Sequence, residues 1–173
     1  LSGLLRTERS VLSQLDQDFE WIVVDGASSD GTVEYLTSIE FKGSFYSEPD
    51  DGIADAWNKG ISAAKGDYIL ILNAGDTISA SFLSEYRKHL VKDKILCSHS
   101  SVITESGRDV GTFSSRPRSL WRGMTIPHLT CLVHRSMYED YGLYRLLCHS
   151  MDYDWFLMYY RRKGPTGFKV INV

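Results

Sequence analysis

Hydrophobic residues along this chain fall into helical stripes separated by short runs with no period at all. Between Asp67 and Asp76, Tyr68-Ile69-Leu70-Ile71-Leu72 and the nearby Ala74 are apolar without alternation, the pattern of a strand buried on both faces of a parallel sheet. The run stops at Asn73-Ala74-Gly75-Asp76. A second run, Phe19 to Asp25, likewise delivers a carboxylate at its carboxyl end, and Phe45 to Glu48 reads as a short third strand ended by Pro49-Asp50-Asp51-Gly52. Helical spacing places Leu4, Leu5, Val11, Leu12 and Leu15 on the opening helix. Val33, Leu36 and Ile39 make a short helix after the turn residues Gly26 to Thr32, and Ile53, Trp57, Ile61 and Ala64 make an amphipathic one from Asp51 to Lys65. That last helix is expected to be capped by Asp51 and stopped by Gly66.

Strands alternating with helices in this way predict an α/β domain with a mostly parallel sheet and right-handed crossovers, covered on both faces. The second half departs from this. Ala80 to Leu90 keeps the helical pattern, but Ile95 to Thr104 and Asp109 to Phe113 flank Glu105-Ser106-Gly107-Arg108 like an antiparallel hairpin, so the sheet becomes mixed. Leu129 to His134 predicts a strand, Ser136 to Tyr141 a short helix ended by Gly142, Met151 to Lys163 a helix stopped at Gly164-Pro165, and Phe168 to Val173 a final strand. The chain opens directly on a helix and ends on a strand, which reads as a fragment with a strand expected ahead of Ser2.

Composition narrows the class. At 173 residues, with 43% hydrophobic and 24% charged residues and four prolines, one ordinary globular domain is expected. A net charge of -3 argues against general nucleic-acid affinity, which needs a basic excess to displace counterions. Cys97, Cys131 and Cys148 are widely spaced and form no CxxC pair, so neither a zinc site nor a disulfide framework is signalled and a cytoplasmic setting fits. No apolar run reaches transmembrane length and no signal peptide is visible.

The candidate chemistry lies at the strand ends, because in open α/β sheets ligands bind beyond the carboxyl ends of the strands. A parallel sheet brings Asp25 and Asp76 to one edge. Each has a structural alternative as cap of the next helix, which weighs evenly against function for Asp25 and less for Asp76, since Thr77 and Ser79 can cap equally well. A hard cation such as Mg²⁺ typically takes one or two protein carboxylates plus substrate phosphates, so Asp76 alone suffices. Neither GxGxxG nor GxxxxGK[ST] occurs.

Three ordered segments, FEWIVVDGASSDGTVEYL, SEPDDGIADAWNKGISAAKGDYILILNAGD, and IPHLTCLVHRSMYEDYGLY with MDYDWFL, resemble the family 2 glycosyltransferases of the GT-A fold, in particular the bacterial branch that builds colanic acid and other exopolysaccharides. The likeness spans most of residues 4 to 171. It implies a single glycosyltransferase domain over 1–173, a Rossmann-like three-layer sandwich truncated at both ends, with a nucleotide-sugar-binding half at 1–79 and an acceptor-side half at 80–173. Asp25 matches the carboxylate that contacts the donor's base or ribose, with Gly26 in place of a frequent second acid. Asn73-Ala74-Gly75-Asp76 stands where the family has its DxD-type metal motif, of which only the last aspartate survives. The resemblance therefore implies that Asp76 holds a divalent metal, Mn²⁺ or Mg²⁺, through the donor's diphosphate. Asp152 matches the catalytic base, with Met151 where Glu is frequent. His128 matches a histidine on the acceptor or diphosphate side, and Glu48, Asp51, Asp55, Asn58 and Lys59 match the branch's SEPD-GI-DA-NKG segment, with Glu48, Asp51 and Asn73 on the nucleotide side.

The activity implied is transfer of a sugar from a nucleoside-diphosphate donor to a saccharide or lipid-linked hydroxyl in bacterial surface polysaccharide synthesis. One base without a covalent nucleophile implies inversion at the anomeric centre, by the logic that separates the two geometries of glycoside hydrolysis. Asp152 and Asp154 cannot share the role on a regular helix, where residues two apart point to nearly opposite sides. The alternative makes Asp152 a helix cap and Asp154 a first-turn acid. Arg116, Arg118 and Arg122 with Trp121 read either as a solvated loop or as a contact for diphosphate or for the inner face of the cytoplasmic membrane. A rival reading, a sugar-nucleotide-binding scaffold without turnover, draws on the depleted metal motif. A nucleotidyltransferase would need a basic triphosphate loop that the sequence lacks.

Overall fold

Three β-branched residues and an aspartate make the first strand, β1 (Ile22–Asp25), which pairs in parallel with β2 (Ser44–Ser47), Asp25 opposite Ser47. The computed structural model describes residues 1–38, 41–104 and 106–172. Helix α1 (Ser2–Leu12) precedes this pair, and the crossover within it carries α2 (Thr32–Leu36); Ile39, expected on the stripe of α2, lies outside the described residues. Leu4, Leu36 and Phe41 form the core beneath these elements.

Helix α3 (Ile53–Ala63) follows and leads into β3 (Tyr68–Leu70). The cap expected of Asp51 is absent. The helix starts after Gly52, whose φ of 105° favours glycine, and it is Asp50 Oδ1 that accepts the Gly52 N–H at 2.9 Å. At the other end, Glu20 Oε1 accepts the N–H groups of Lys65 and Gly66 at 2.5 and 2.7 Å, so a distant carboxylate holds the turn that aims β3.

Beyond α4 (Phe82–Arg87), β4 (Ile95–Cys97) enters a four-stranded sheet, and β5 (Ser100–Ile103) with β6 (Asp109–Phe113) forms a separate antiparallel hairpin. The single strand expected from Ile95 to Thr104 breaks at Ser98 because side chains take its backbone groups. Thr130 Oγ1 accepts the Ser98 N–H at 3.1 Å, and Ser115 Oγ donates to its carbonyl at 2.6 Å. Glu105, in the expected turn, lies outside the described residues. The remaining strands and α-helices of the described residues are β7 (Leu132–His134), α5 (Arg135–Tyr141), α6 (Met151–Lys163) and β8 (Phe168–Val170), and the stretch read as a solvated loop forms a 3₁₀ helix, Pro117–Arg122, anchored by the buried Leu120; Val173 is also outside the described residues.

The larger sheet has the order β3-β7-β4-β8, with β7 antiparallel to both neighbours and β4 parallel to β8. Ile95, Leu96 and Cys97 are fully buried, an unbroken apolar strand covered on both faces as such strands are. One face packs Ile95, Cys97 and Val133 against Trp155, Phe156 and Tyr159 of α6; the other packs Leu96 and Leu132 against Phe82 and Tyr86 of α4. The fold is the expected α/β arrangement with a mixed sheet.

β3 differs from the strand buried on both faces that its sequence predicts. Only Ile69 is buried, with Tyr68 and Leu70 half-exposed. The reason is its edge: β1 and β3 belong to different sheets, and a cavity of ≈ 760 Å³ lies between them, lined by Ile22 and Val24 on one side and residues 68–72 on the other. No helix among the described residues is long and apolar enough to cross a membrane.

Candidate functional site

The amino-terminal turn of α1 lies against both the loop after β1 and the loop after β3, although the two strands belong to separate sheets rather than to the one parallel sheet expected. Leu1 lies against Gly31 in the loop after β1, its Cδ2 3.6 Å from where a Cβ would stand. A Cβ on Gly3 would lie 3.1 Å from the carbonyl carbon and oxygen of Ala74 in the loop after β3. Glycine at position 3 therefore lets helix and loop backbone meet.

Asp25 closes β1 and is 6% exposed. It caps no helix, since α2 begins after Gly31. Its Oδ2 accepts the Ser28 N–H at 3.0 Å and the Ser47 hydroxyl at 2.8 Å. Burial works to raise this carboxyl, yet the hydrogen bonds from Ser28 and Ser47 outweigh it and leave its pKa below the ordinary value. Asp25 is thus a fixed anion whose remaining oxygen is available as an acceptor.

The loop from Asn73 to Asp76 is closed on itself. Asn73 N–H donates to Asp76 Oδ2 at 3.0 Å, and Asp76 N–H donates to the Asn73 carbonyl at 3.0 Å. Gly75 has φ 110°, so the place of a second metal-motif acid is one that side chains avoid. From α1, one turn after Gly3, the buried Thr7 clamps the loop. Its hydroxyl accepts the Gly75 N–H at 2.9 Å and turns its own hydrogen toward the carbonyls of Asp76, at 2.8 Å, and Asn73, at 3.2 Å. Burial raises the Asp76 carboxyl above its ordinary pKa, with the hydrogen bond to Asn73 only partly opposing it. Asp76 precedes α4 by a full turn and does not cap it. A half-buried carboxylate with one supporting N–H is suited to a cation. Among the described residues no three His, Cys, Asp or Glu side chains gather as a metal cluster, so a cation here takes one protein carboxylate and its other oxygens from elsewhere.

Trp57 of α3 reaches the same loop, its Nε1 donating to Asn73 Oδ1 at 3.1 Å. The indole stacks on His128, ring centroids 4.3 Å apart and 11° from parallel. His128 opens a 3₁₀ turn, His128–Thr130, rather than the strand expected from Leu129, and is further enclosed by Tyr144 and Phe156 at 6.3 and 6.2 Å. Burial lowers its pKa to about 4 while the nearby Asp152 carboxylate pulls it upward, so the imidazole is neutral at pH 7.

Asp152 lies in the first turn of α6, one turn before Phe156 and hence on the His128 side. The cap is Ser150 rather than Asp152. Asp152 accepts the Tyr153 N–H at 2.8 Å, and no cation pairs with it among the described residues. Asp154, on the opposite side, is bound by Arg145, whose Nε donates to it at 2.8 Å.

Other matched residues are engaged in structure. Lys59 pairs with Glu48 at 2.9 Å and Asp55 at 3.1 Å, and Asn58 exchanges two hydrogen bonds with the backbone of Tyr144, at 2.8 and 3.0 Å. Asp51 is exposed. His134 Nδ1 accepts the Ser136 N–H and caps α5. The apolar pattern gave no sign of Thr7, Ser28 or Ser47. Thr7, a polar residue on the stripe that contains Leu4 and Val11, is the one whose position could have been noticed.

The family model described as glycosyl transferase family 2 matches residues 1–163. An uncharacterized glycosyltransferase of Mycobacterium tuberculosis is 43% identical over 81 residues, covering 46% of this chain and 31% of that protein. A PGL/p-HBAD biosynthesis glycosyltransferase of Mycobacterium bovis is 32% identical over 73 residues, covering 40% and 28%. Among solved structures, S. aureus TarS 1-349 in complex with UDP-GlcNAc superposes with a TM-score of 0.73 at 16% identity, over 97% of this chain and 52% of that one. The complex of the same protein with UDP gives 0.71 at 15%, over 97% and 53%. The structural likeness shows the fold. The chain spans about a third of the curated relatives it matches and about half of these structures.

Proposed function

The chain belongs to glycosyl transferase family 2, and on that premise we propose that it forms the nucleotide-sugar-binding and catalytic core of a metal-dependent, inverting glycosyltransferase. The observation that carries this reading is a set of three aspartates in unlike environments: Asp25 charged and fixed, Asp76 half-buried and under-compensated, Asp152 without a counter-ion. Environments that separate carboxylates in this way separate their roles.

Asp25 accepts from the hydroxyl or imide groups of the nucleoside. Asp76 would hold Mn²⁺ or Mg²⁺, which when bound would stabilise charge developing on the leaving diphosphate. Asn73 supports Asp76 and offers its amide to the donor, while Glu48 and Asp51 flank the nucleotide side. Asp152 takes the proton of the acceptor hydroxyl as it attacks the anomeric carbon, a contribution typically of about 10²–10⁴ in rate. Asp154, its neighbour two residues on, is held by Arg145 rather than free to act as a covalent nucleophile, which supports an inverting reading. Neutral His128 lies on the acceptor or diphosphate side. Exposed Arg116, Arg118, Trp121 and Arg122 provide a basic approach for a lipid-linked acceptor, and surface polysaccharide synthesis is the role that such an acceptor fits.

A thermal-shift panel of nucleotide sugars, each with and without Mn²⁺, tests the reading. The true donor at ~100 times its Kd stabilises the fold by about 2.7 kcal/mol by mass action, and only with the metal present. A shift that is the same with and without metal, or no shift for any nucleotide sugar, contradicts it.

A further inference from the structure

We propose that Trp57 is a positioning residue that joins the donor and base sides of the site, orienting Asn73 through its N–H edge and seating His128 beside Asp152 through its face; this rests on the glycosyl-transfer reading above. Trp57 otherwise reads as one more apolar residue on the stripe of α3. Its surroundings differ from those of a core residue. The edge donates to Asn73 Oδ1 at 3.1 Å, one face stacks on His128 at 4.3 Å, and Tyr144 meets the ring edge-on at 5.2 Å.

The consequence for Asn73 is chemical. An indole N–H can only donate, so it fixes which end of the amide faces it. Oδ1 is turned toward Trp57, and Nδ2, with its two hydrogens, is turned away. Asn73 thereby becomes a donor, suited to a phosphate or sugar oxygen, on the loop whose backbone N–H also holds Asp76 Oδ2. Phenylalanine would keep an aromatic face toward His128 and leave the amide free to flip.

The consequence for His128 is steric and electrostatic. Its ring is held between Trp57 and Phe156, and Phe156 lies one turn beyond Asp152 on α6. The titratable groups around the imidazole are Asp152, the Tyr144 phenol and the Cys131 thiol, and burial keeps the last two protonated. The indole face excludes water from one side of the ring. Without it, solvent and the Asp152 carboxylate together favour imidazolium, which would pair with the base and spoil it.

Two variants separate the edge from the face. Trp57→Phe keeps a stacking ring and loses the N–H; Trp57→Leu loses both. With the nucleotide sugar selected by the thermal-shift panel, Trp57→Phe should raise donor KM about 3- to 10-fold, the range of one hydrogen bond, with kcat and its acid limb unchanged. Trp57→Leu should show the same KM change, and in addition lower kcat and move the acid limb upward. Independently of turnover, the His128 imidazole followed by NMR should titrate near 4 in wild type and Trp57→Phe, and closer to 6.5 in Trp57→Leu. An unchanged donor KM in Trp57→Phe, or His128 still near 4 in Trp57→Leu, overturns the assignment. So do parallel losses in both variants that simply track a fall in Tm. If wild type turns over no nucleotide sugar, the glycosyl-transfer reading falls by itself, and the NMR titration decides whether Trp57 seats His128.

Discussion

Asp76 sits in an environment that works against its own charge. Burial raises its pKa above the ordinary 3.8, so the folded state holds this proton more tightly than the unfolded chain does. The stability linked to it is complete below the unfolded value and is lost as pH rises through the folded one. At pH 7 the ionised carboxylate is therefore a net cost to the metal-free fold. Asp76→Asn removes that cost while its amide oxygen can still accept the Asn73 N–H. Differential scanning calorimetry without metal should show Tm higher by roughly 1–3 °C at pH 7, with the gain vanishing near pH 4. A lower Tm at pH 7 would mean that Asp76 stabilises the fold and is not poised for a cation. Asp25 is the opposite case, its charge stabilised by Ser28 and Ser47. The difference between these two aspartates was not legible in the sequence. Both end apolar runs, and what separates them is who donates to each: residues in the following loop and on β2 for Asp25, and one neighbouring N–H for Asp76.

At the scale of elements, the site depends on helices that lie over loops. α1 contributes no candidate ligand, yet Gly3 gives it close approach and Thr7 ties together three backbone groups of the Asn73–Asp76 loop. Thr7→Val keeps the shape and removes the hydroxyl, leaving the Gly75 N–H without its acceptor. Urea denaturation should lose about 1–3 kcal/mol with m unchanged, and donor KM should rise while the Asp152-dependent step is spared; an undiminished stability would show the clamp to be incidental. The sequence pattern found the six α-helices of the described residues, but not the 3₁₀ turns Pro117–Arg122 and His128–Thr130, which were read as a loop and a strand. Boundaries were less legible, since they are set by partners from elsewhere in the chain. Gly52 and Asp50 start α3 in place of Asp51, and Ser115 and Thr130 end β4 at Cys97. No local pattern carries such information.

For the molecule as a whole, the alternation of strands and helices disclosed the α/β class, but the two most apolar runs did not mark central strands: β3 lies at a sheet edge and β1 in a two-stranded sheet, while β7 and β4 are central. Nor did the runs disclose neighbours. β7 inserts antiparallel beside β3, and β1 and β3 stand apart across the ≈ 760 Å³ cavity, which is why β3 is half-exposed along a run that its composition would bury. That cavity meets the candidate site at Trp57, Asn73 and Ala74, while Asp25, Asp76, His128 and Asp152 do not line it, so it runs alongside the candidate site rather than marking it. The single parallel sheet expected to bring Asp25 and Asp76 to one edge is not formed, since β1 and β3 lie in separate sheets; what links their loops is the start of α1, and the line from Asp76 through Asn73 and Trp57 to His128 and Asp152 depends on side-chain packing, so neither was legible. In the proposed mechanism this site transfers a sugar from a nucleotide donor, with a metal at Asp76 and a base at Asp152. Release of nucleoside diphosphate from the stabilising nucleotide sugar, measured against Mn²⁺ concentration in the presence of a saccharide acceptor, tests it directly. The account predicts saturable, metal-dependent release that Asp76→Ala abolishes, and that Asp152→Asn lowers by about 10²–10⁴ with donor binding and Tm retained. Donor binding with no release at any metal concentration, or full release by Asp152→Asn, would contradict it.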